Sequence, residues 1–186
     1  MKRITIFIAL IFGLVSFGHA QFLRPVPDMK GKFIAGGNVD FGLSGNYLHA
    51  SIAPQFGYRV IHAVELGVRG SYTLECQWDR VYGTWSDHYF GAAAYTSIEV
   101  YRGLFAHGEY EKLYCLSRSN HQSNPSYNKW YDSFFVGAGY RSYSSQNNYV
   151  YLLFLYNLSW DDQVINGSGT PYGRPFLIRV GYCFGL

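Results

Sequence analysis

His107 and Glu109 stand two residues apart, and an imidazole beside a carboxylate is a possible acid–base pair if both face one space. In an extended strand residues i and i+2 do face the same way. Other ionisable residues share this habit of sitting between apolar neighbours: Glu65, Arg69, Glu99, Arg141 and Arg179. Ser86-Asp87-His88 holds the residue types of a hydrolytic triad, but such groups must converge in space, and consecutive residues of a loop do not. His49, His62, His88 and His121 show no metal-ligand spacing. Gly36-Gly37 and Gly137-Ala138-Gly139 do not open a helix, so no phosphate-binding loop is expected. No catalytic residue, metal or cofactor is therefore assigned.

The elements that hold these residues are strands. From residue 31 onward the hydrophobic pattern has period two. The clearest run is 63–76, where Val64, Leu66, Val68, Tyr72 and Leu74 alternate with Glu65, Gly67, Arg69, Ser71, Thr73 and Glu75. Seven further segments read the same way, at about 31–43, 47–59, 88–100, 104–116, 131–143, 149–160 and from 176 to the end. Pro54 inside the second marks an expected bulge, because proline cannot donate to the ladder. Lys112 falls on the apolar face of the fifth and is expected to snorkel to water. Connections after the second, fourth and sixth strands are tight, and those at 77–87, 117–130 and 161–174 are long loops. With both termini at one end, every long loop leaves from the other. The fold expected is all-β, an eight-stranded antiparallel up-and-down transmembrane barrel over 31–186.

The two ends of the chain agree. Lys2 and Arg3 precede an apolar run from Ile4 to Phe17 and then Gly18-His19-Ala20, the pattern of a signal peptide cleaved near Ala20. Residues 21–30 then form a short periplasmic segment. At the C-terminus Phe176, Ile178, Val180, Tyr182 and Phe184 occupy alternate positions opposite Arg179 and Cys183. That strand resembles the terminal strand by which the barrel-assembly machinery recognises outer-membrane proteins. Removing Lys2 and Arg3 from the 15 basic residues leaves 13 against 12 acidic ones, which argues against nucleic acid as a partner. Aromatic residues make up 19% of the chain, suited to an interface with lipid. Cys183 lies at the opposite end from Cys76 and Cys115 and cannot pair with either. Cys76 and Cys115 fall on different faces.

An eight-stranded barrel is just wide enough for side chains to fill. Glu65, Arg69, Glu99, His107, Glu109, Arg141 and Arg179 are expected inside it as interlocked ion pairs, with Glu75 and Glu111 nearer the loop end. Trp78, Tyr82, Trp85, Tyr127 and Trp130 are candidate contacts for an extracellular ligand or partner, or a girdle at the membrane interface.

The second half of the chain resembles a family of small, uncharacterised outer-membrane proteins of the Bacteroidetes type, similar in architecture to OmpA- and OmpX-like barrels. The residues that carry this are Leu104–Glu111 (Leu-Phe-Ala-His-Gly-Glu-Tyr-Glu), Val136–Tyr140, Leu155–Asn157, Pro171–Pro175 and Ile178–Tyr182. The resemblance implies a Gram-negative outer-membrane location and no reaction. The expected role is a non-enzymatic envelope or surface-interaction protein in contact with outer-membrane lipid. The rivals are a lipid-modifying enzyme of the lipid A deacylase or palmitoyltransferase type, a narrow porin-like pore, and a soluble lipocalin-like barrel with apolar residues inside.

Overall fold

A computed structural model describes residues 31–79, 83–119, 128–144, 148–160, 172 and 174–186. The proposed signal peptide, residues 21–30, His121, Tyr82 and Tyr127 lie outside the described residues. Eight strands close into one barrel in chain order, each antiparallel to the next. They are β1 (Phe33–Ser44), β2 (Tyr47–Ile61), β3 (Val64–Asp79), β4 (Gly83–Tyr101), β5 (Leu104–Ser119), β6 (Asn128–Tyr143), β7 (Asn148–Asn157) and β8 (Phe176–Gly185). The C-terminal strand is the eighth and closes against the first through Ile34–Gly185 to Gly37–Tyr182.

Period two becomes inside and outside. On β7, inward Tyr149, Tyr151, Leu153 and Leu155 are buried, whereas outward Val150, Leu152, Phe154 and Tyr156 are exposed. The same apolar outer face runs through Val39 and Phe41, Ile52 and Phe56, and Leu66 and Val68, then round to Ile178 and Val180. A one-residue slip of any strand would exchange the two faces, so the pattern fixes register strongly.

Three expectations need correction. The segment 77–87 is not a long loop: β3 runs to Asp79 and β4 starts at Gly83, paired through Trp78–Thr84 and Asp79–Gly83. Both faces of that extension lack the apolar contrast that marks a strand, although the ladder continues. Ser86, Asp87 and His88 therefore sit on β4, where alternation sends Asp87 to the face opposite its two neighbours. Pro54 does not bulge the sheet. The register of β2 with β3 is the same at Ile52–Tyr72 and at Gln55–Arg69, with only the pairs between them missing. The irregularities fall instead between Arg59 and Ile61 and between Glu99 and Tyr101, at the end carrying both termini. Lys112 does not snorkel alone: its Nζ lies 3.2 Å from Asp132 Oδ1 on the outer surface, and Tyr110 donates to the same oxygen at 2.5 Å.

Candidate functional site: the charged lumen

Glycine makes room for what the lumen holds. A Cβ on Gly67 would stand 2.4 Å from Cζ of Tyr95, so the ring of Tyr95 takes the place that any side chain at 67 would fill. The Tyr95 hydroxyl then reaches Glu65 at 3.0 Å.

Near the end that carries the termini, two arginines and two glutamates interlock. Arg141 Nη2 lies 2.9 Å from Glu65 Oε2, and Arg59 bridges Glu65 at 3.7 Å and Glu99 at 3.4 Å. Tyr149 donates to Glu65 and Tyr143 to Glu99, at 3.3 Å and 2.9 Å. Arg141 also stacks over Phe105 at 4.3 Å and Tyr149 at 5.1 Å. A guanidinium is weakly hydrated and lies flat on rings, so it suits such a setting better than an ammonium would.

At mid-height a second group centres on Glu109. Arg179 grips it with both terminal nitrogens, at 2.7 Å and 3.1 Å, and Arg69 Nη2 lies at 2.5 Å. Arg69 also reaches Glu111 at 3.0 Å, and Glu111 accepts from Ser71 at 3.3 Å and from Tyr172. His107 completes the group, 3.3 Å from Glu109 and 2.8 Å from Ser97 Oγ.

All seven residues expected in the network are thus brought together. Arg59 and Glu111 complete it, giving four arginines against four glutamates. Arg59 is wholly buried and shares its face with Gln55, so alternation alone places it inside. What alternation could not give was its reach to Glu99, two strands away. The lumen is also less polar than its charges suggest: Ile34, Phe105, Phe135, Leu153 and Leu155 point inward and pack on one another beside the ion pairs.

Ser97, His107 and Glu109 are hydrogen-bonded in the order of a nucleophile, a base and an orienting acid. The arrangement lacks access. Ser97 is 1% exposed, and the adjoining cavity, lined in part by Gln55, Glu65 and Tyr95, is about 20 Å³. That is room for roughly one water. Glu109 already serves two arginines, so the trio reads as part of the network. Among the described residues no cluster of His, Cys, Asp and Glu could hold a metal ion.

Above Glu111 the lumen widens to a cavity of about 240 Å³ towards the end opposite the termini. Ser51, Thr73 and Tyr89 line its wall, and Arg69 and Glu111 its floor. His49 stands between Glu75, 3.2 Å from Nδ1, and Asp40, 3.7 Å from Nε2.

The aromatic candidates take strand positions. Trp78 and Trp130 are exposed on β3 and β6, and Trp85 is half-buried on β4. Trp130 packs at a tilt against Tyr114 with ring centres 4.8 Å apart and lies 5.8 Å from Lys112 Nζ. Phe176, Ile178, Val180, Tyr182 and Phe184 are all exposed on the outer face of β8. Cys76, Cys115 and Cys183 form no disulfide with one another, and Gln55 donates to Cys183 Sγ at 2.9 Å.

No family model and no curated protein matches the chain. Among solved structures, the N-terminal β-barrel domain of Pseudomonas aeruginosa OprF matches at 14% identity and a TM-score of 0.45. It covers 84% of this chain and 98% of that domain.

Proposed function

We propose that this chain is an integral barrel of the Gram-negative outer membrane, exported by its N-terminal signal and plugged by its own side chains. It acts through the end opposite its termini as a non-enzymatic envelope or surface-interaction protein. The observation that carries this is the inversion of polarity. Exposed Phe41, Phe56, Val68, Phe154, Ile178 and their neighbours ring the outside, while four arginines and three glutamates lie buried within and Glu99 is half-buried beside them. Water would not tolerate so continuous an apolar surface, and lipid requires it. The sheet closes through β1 and β8, so every strand has a neighbour on both sides along at least part of its length, as suits a bilayer. The soluble lipocalin-like reading needs the opposite polarity.

Side chains filling the lumen favour a plug over a pore. Wholly buried Arg59 and Tyr149 fill the half nearer the ends of β2 and β8 and Phe135 the middle, leaving space for about one water beside Tyr149. The trio of Ser97, His107 and Glu109 has no room for an acyl substrate, which weighs against the lipid-modifying reading. The resemblance to Bacteroidetes-type barrels supports the same assignment.

The test combines heat-modifiable gel mobility of the membrane fraction with protease treatment of intact cells. Mobility is expected to change on boiling, with cuts confined to 120–127 and 158–175. Cleavage at 62–63 or 102–103 in intact cells would reverse the orientation, and recovery in the soluble fraction would end the membrane reading. Planar bilayers are expected to show no conductance steps.

A further inference from the structure

The seam between β1 and β8 is the weakest in the barrel. Its four register pairs end at Gly37–Tyr182, whereas β8 pairs with β7 from Asn148–Phe184 through to Tyr156–Phe176. Above Gly37, β1 stays with β2 as far as Ser44–Tyr47 and is no longer paired with β8. The cause is local. Gly37 has φ +153°, and a Cβ there would stand 2.3 Å from the Ala53 carbonyl oxygen. It faces Pro54, which has no N–H to give. The two edges part at this point.

The 240 Å³ cavity lies behind the parted edges. Its lining takes Asn38 and Asp40 from β1 and Leu177, Ile178 and Arg179 from β8. Ile178 belongs to the outer face and is 62% exposed, so one wall of a lumen cavity is a lipid-facing side chain. Val39, Phe41 and Val180 flank the gap from outside, each more than half exposed. Unpaired backbone at membrane depth is tolerated where it borders a polar, water-filled space, and this cavity supplies one.

The charges select what enters. Arg69 and Arg179 on the floor are already matched by Glu109 and Glu111. The remaining carboxylates of the lining are Asp40, whose side chain is 70% exposed, and Glu75, with only His49 between them. An ammonium group is the complement to that pair, and Ser51 and Thr73 beside it supply hydroxyls.

We infer that this cavity is a binding site, entered sideways from the bilayer between β1 and β8, for a single-chain amphiphile bearing a primary amine. The amine lies on the cavity side of the Asp40–His49–Glu75 bridge, and the chain leaves past Ile178 into lipid. The inference rests on the membrane reading above and adds a ligand class to it.

The experiment uses the full-length mature barrel in phosphatidylcholine nanodiscs, with insertion scored first by heat-modifiable mobility. Failure to insert refutes the membrane reading. A barrel that inserts but does not bind refutes only this inference. Dodecylamine is titrated against the backbone amide signals of Ser71 and Thr73, with laurate and ethanolamine as comparisons. Saturable shifts are expected for dodecylamine, with binding roughly tenfold or more tighter than either comparison, the scale of one charge-assisted contact. Asp40→Asn with Glu75→Gln should weaken it by a similar factor; both positions border open space, so folding is expected to survive. In a Cys76→Ser background, Val39→Cys and Val180→Cys joined by a short bis-maleimide should close the gap and slow binding. Equal binding of laurate, of ethanolamine or by the double carboxylate variant would overturn the inference, as would binding indifferent to the cross-link.

Discussion

Glu109→Gln probes the lumen most directly, because one carboxylate there holds three partners. Arg179 takes both of its oxygens at 2.7 Å and 3.1 Å, Arg69 takes one at 2.5 Å, and His107 approaches to 3.3 Å. Glutamine keeps the volume and removes the charge, leaving four arginines facing three glutamates. Removing one partner of a buried ion pair costs about 3–5 kcal/mol, mostly because the other charge stays buried without its counter-ion. Arg69 retains Glu111 at 3.0 Å, and Arg179 retains only the Phe135 ring among the contacts described, 5.6 Å away. Those residual contacts place the expected loss near the lower bound, about 3 kcal/mol.

The assay is denaturant unfolding of the barrel refolded in lipid vesicles, followed by gel mobility and tryptophan fluorescence. Adding Arg179→Gln restores charge balance, so the double variant should recover part of the loss, with a coupling of about 1–3 kcal/mol. Two results would refute the reasoning. One is a loss below about 1 kcal/mol for Glu109→Gln, which would mean that water reaches and screens the group. The other is strict additivity in the double variant, which would mean that Arg179 and Glu109 do not act as a pair.

Three further outcomes follow from the geometry. Gly137→Ala should impair refolding, because its Cβ would fall 1.9 Å from the Phe154 carbonyl oxygen, whereas Gly108→Ala, with its nearest neighbour at 3.7 Å, should refold like the parent on heat-shift gels. Phe154→Arg on the outer face should cost about 2–4 kcal/mol in vesicles, as expected for a charge near the bilayer midplane, and much less in detergent micelles. Maleimide should modify only Cys76 in the folded barrel and all three thiols in urea, because Cys115 and Cys183 are fully buried, and mass spectrometry reads the difference.

Strand identity was legible wherever an apolar outer face backs a polar inner one. The run from Val64 to Glu75 declares both faces at once. The signal fades past Cys76, since beyond the apolar belt nothing demands alternation, and the extension to Asp79 and back from Gly83 carries no strand pattern. It fades again on β7, where Leu153 and Leu155 point inward and Leu152 and Phe154 outward, so the sequence shows only a continuous apolar run. The inward charges were legible one strand at a time. Their partners were not. Arg179 meets Glu109 across the lumen from β8 to β5, and Arg59 meets Glu99 from β2 to β4. Such pairings depend on the shear of the closed barrel and on how far a long side chain extends, and neither is written in a strand's own pattern. The parting of β1 and β8 was equally hidden, because neither strand's own pattern marks where the ladder between them ends.

Lipid surrounding a barrel rewards any apolar outer face alike, so the belt decides which side of each strand is out and little more. The contents of the lumen must then distinguish the correct closure from its neighbours. A register shift that keeps alternation, by two residues, would leave the belt apolar but move Arg179 away from Glu109 and Arg141 from Glu65. The cost of stranding buried charges falls only on the wrong closures. The group of Arg59, Arg141, Glu65 and Glu99 lies toward the end where all eight strands pair with both neighbours, and the Glu109 group borders the point where that pairing stops. Above Gly37 that constraint lapses, and there the lumen widens and carries Asp40 and Glu75 without a matching arginine. One half is fixed by paired charges, which leaves the other free to keep both a gap in its wall and charge for a ligand to match.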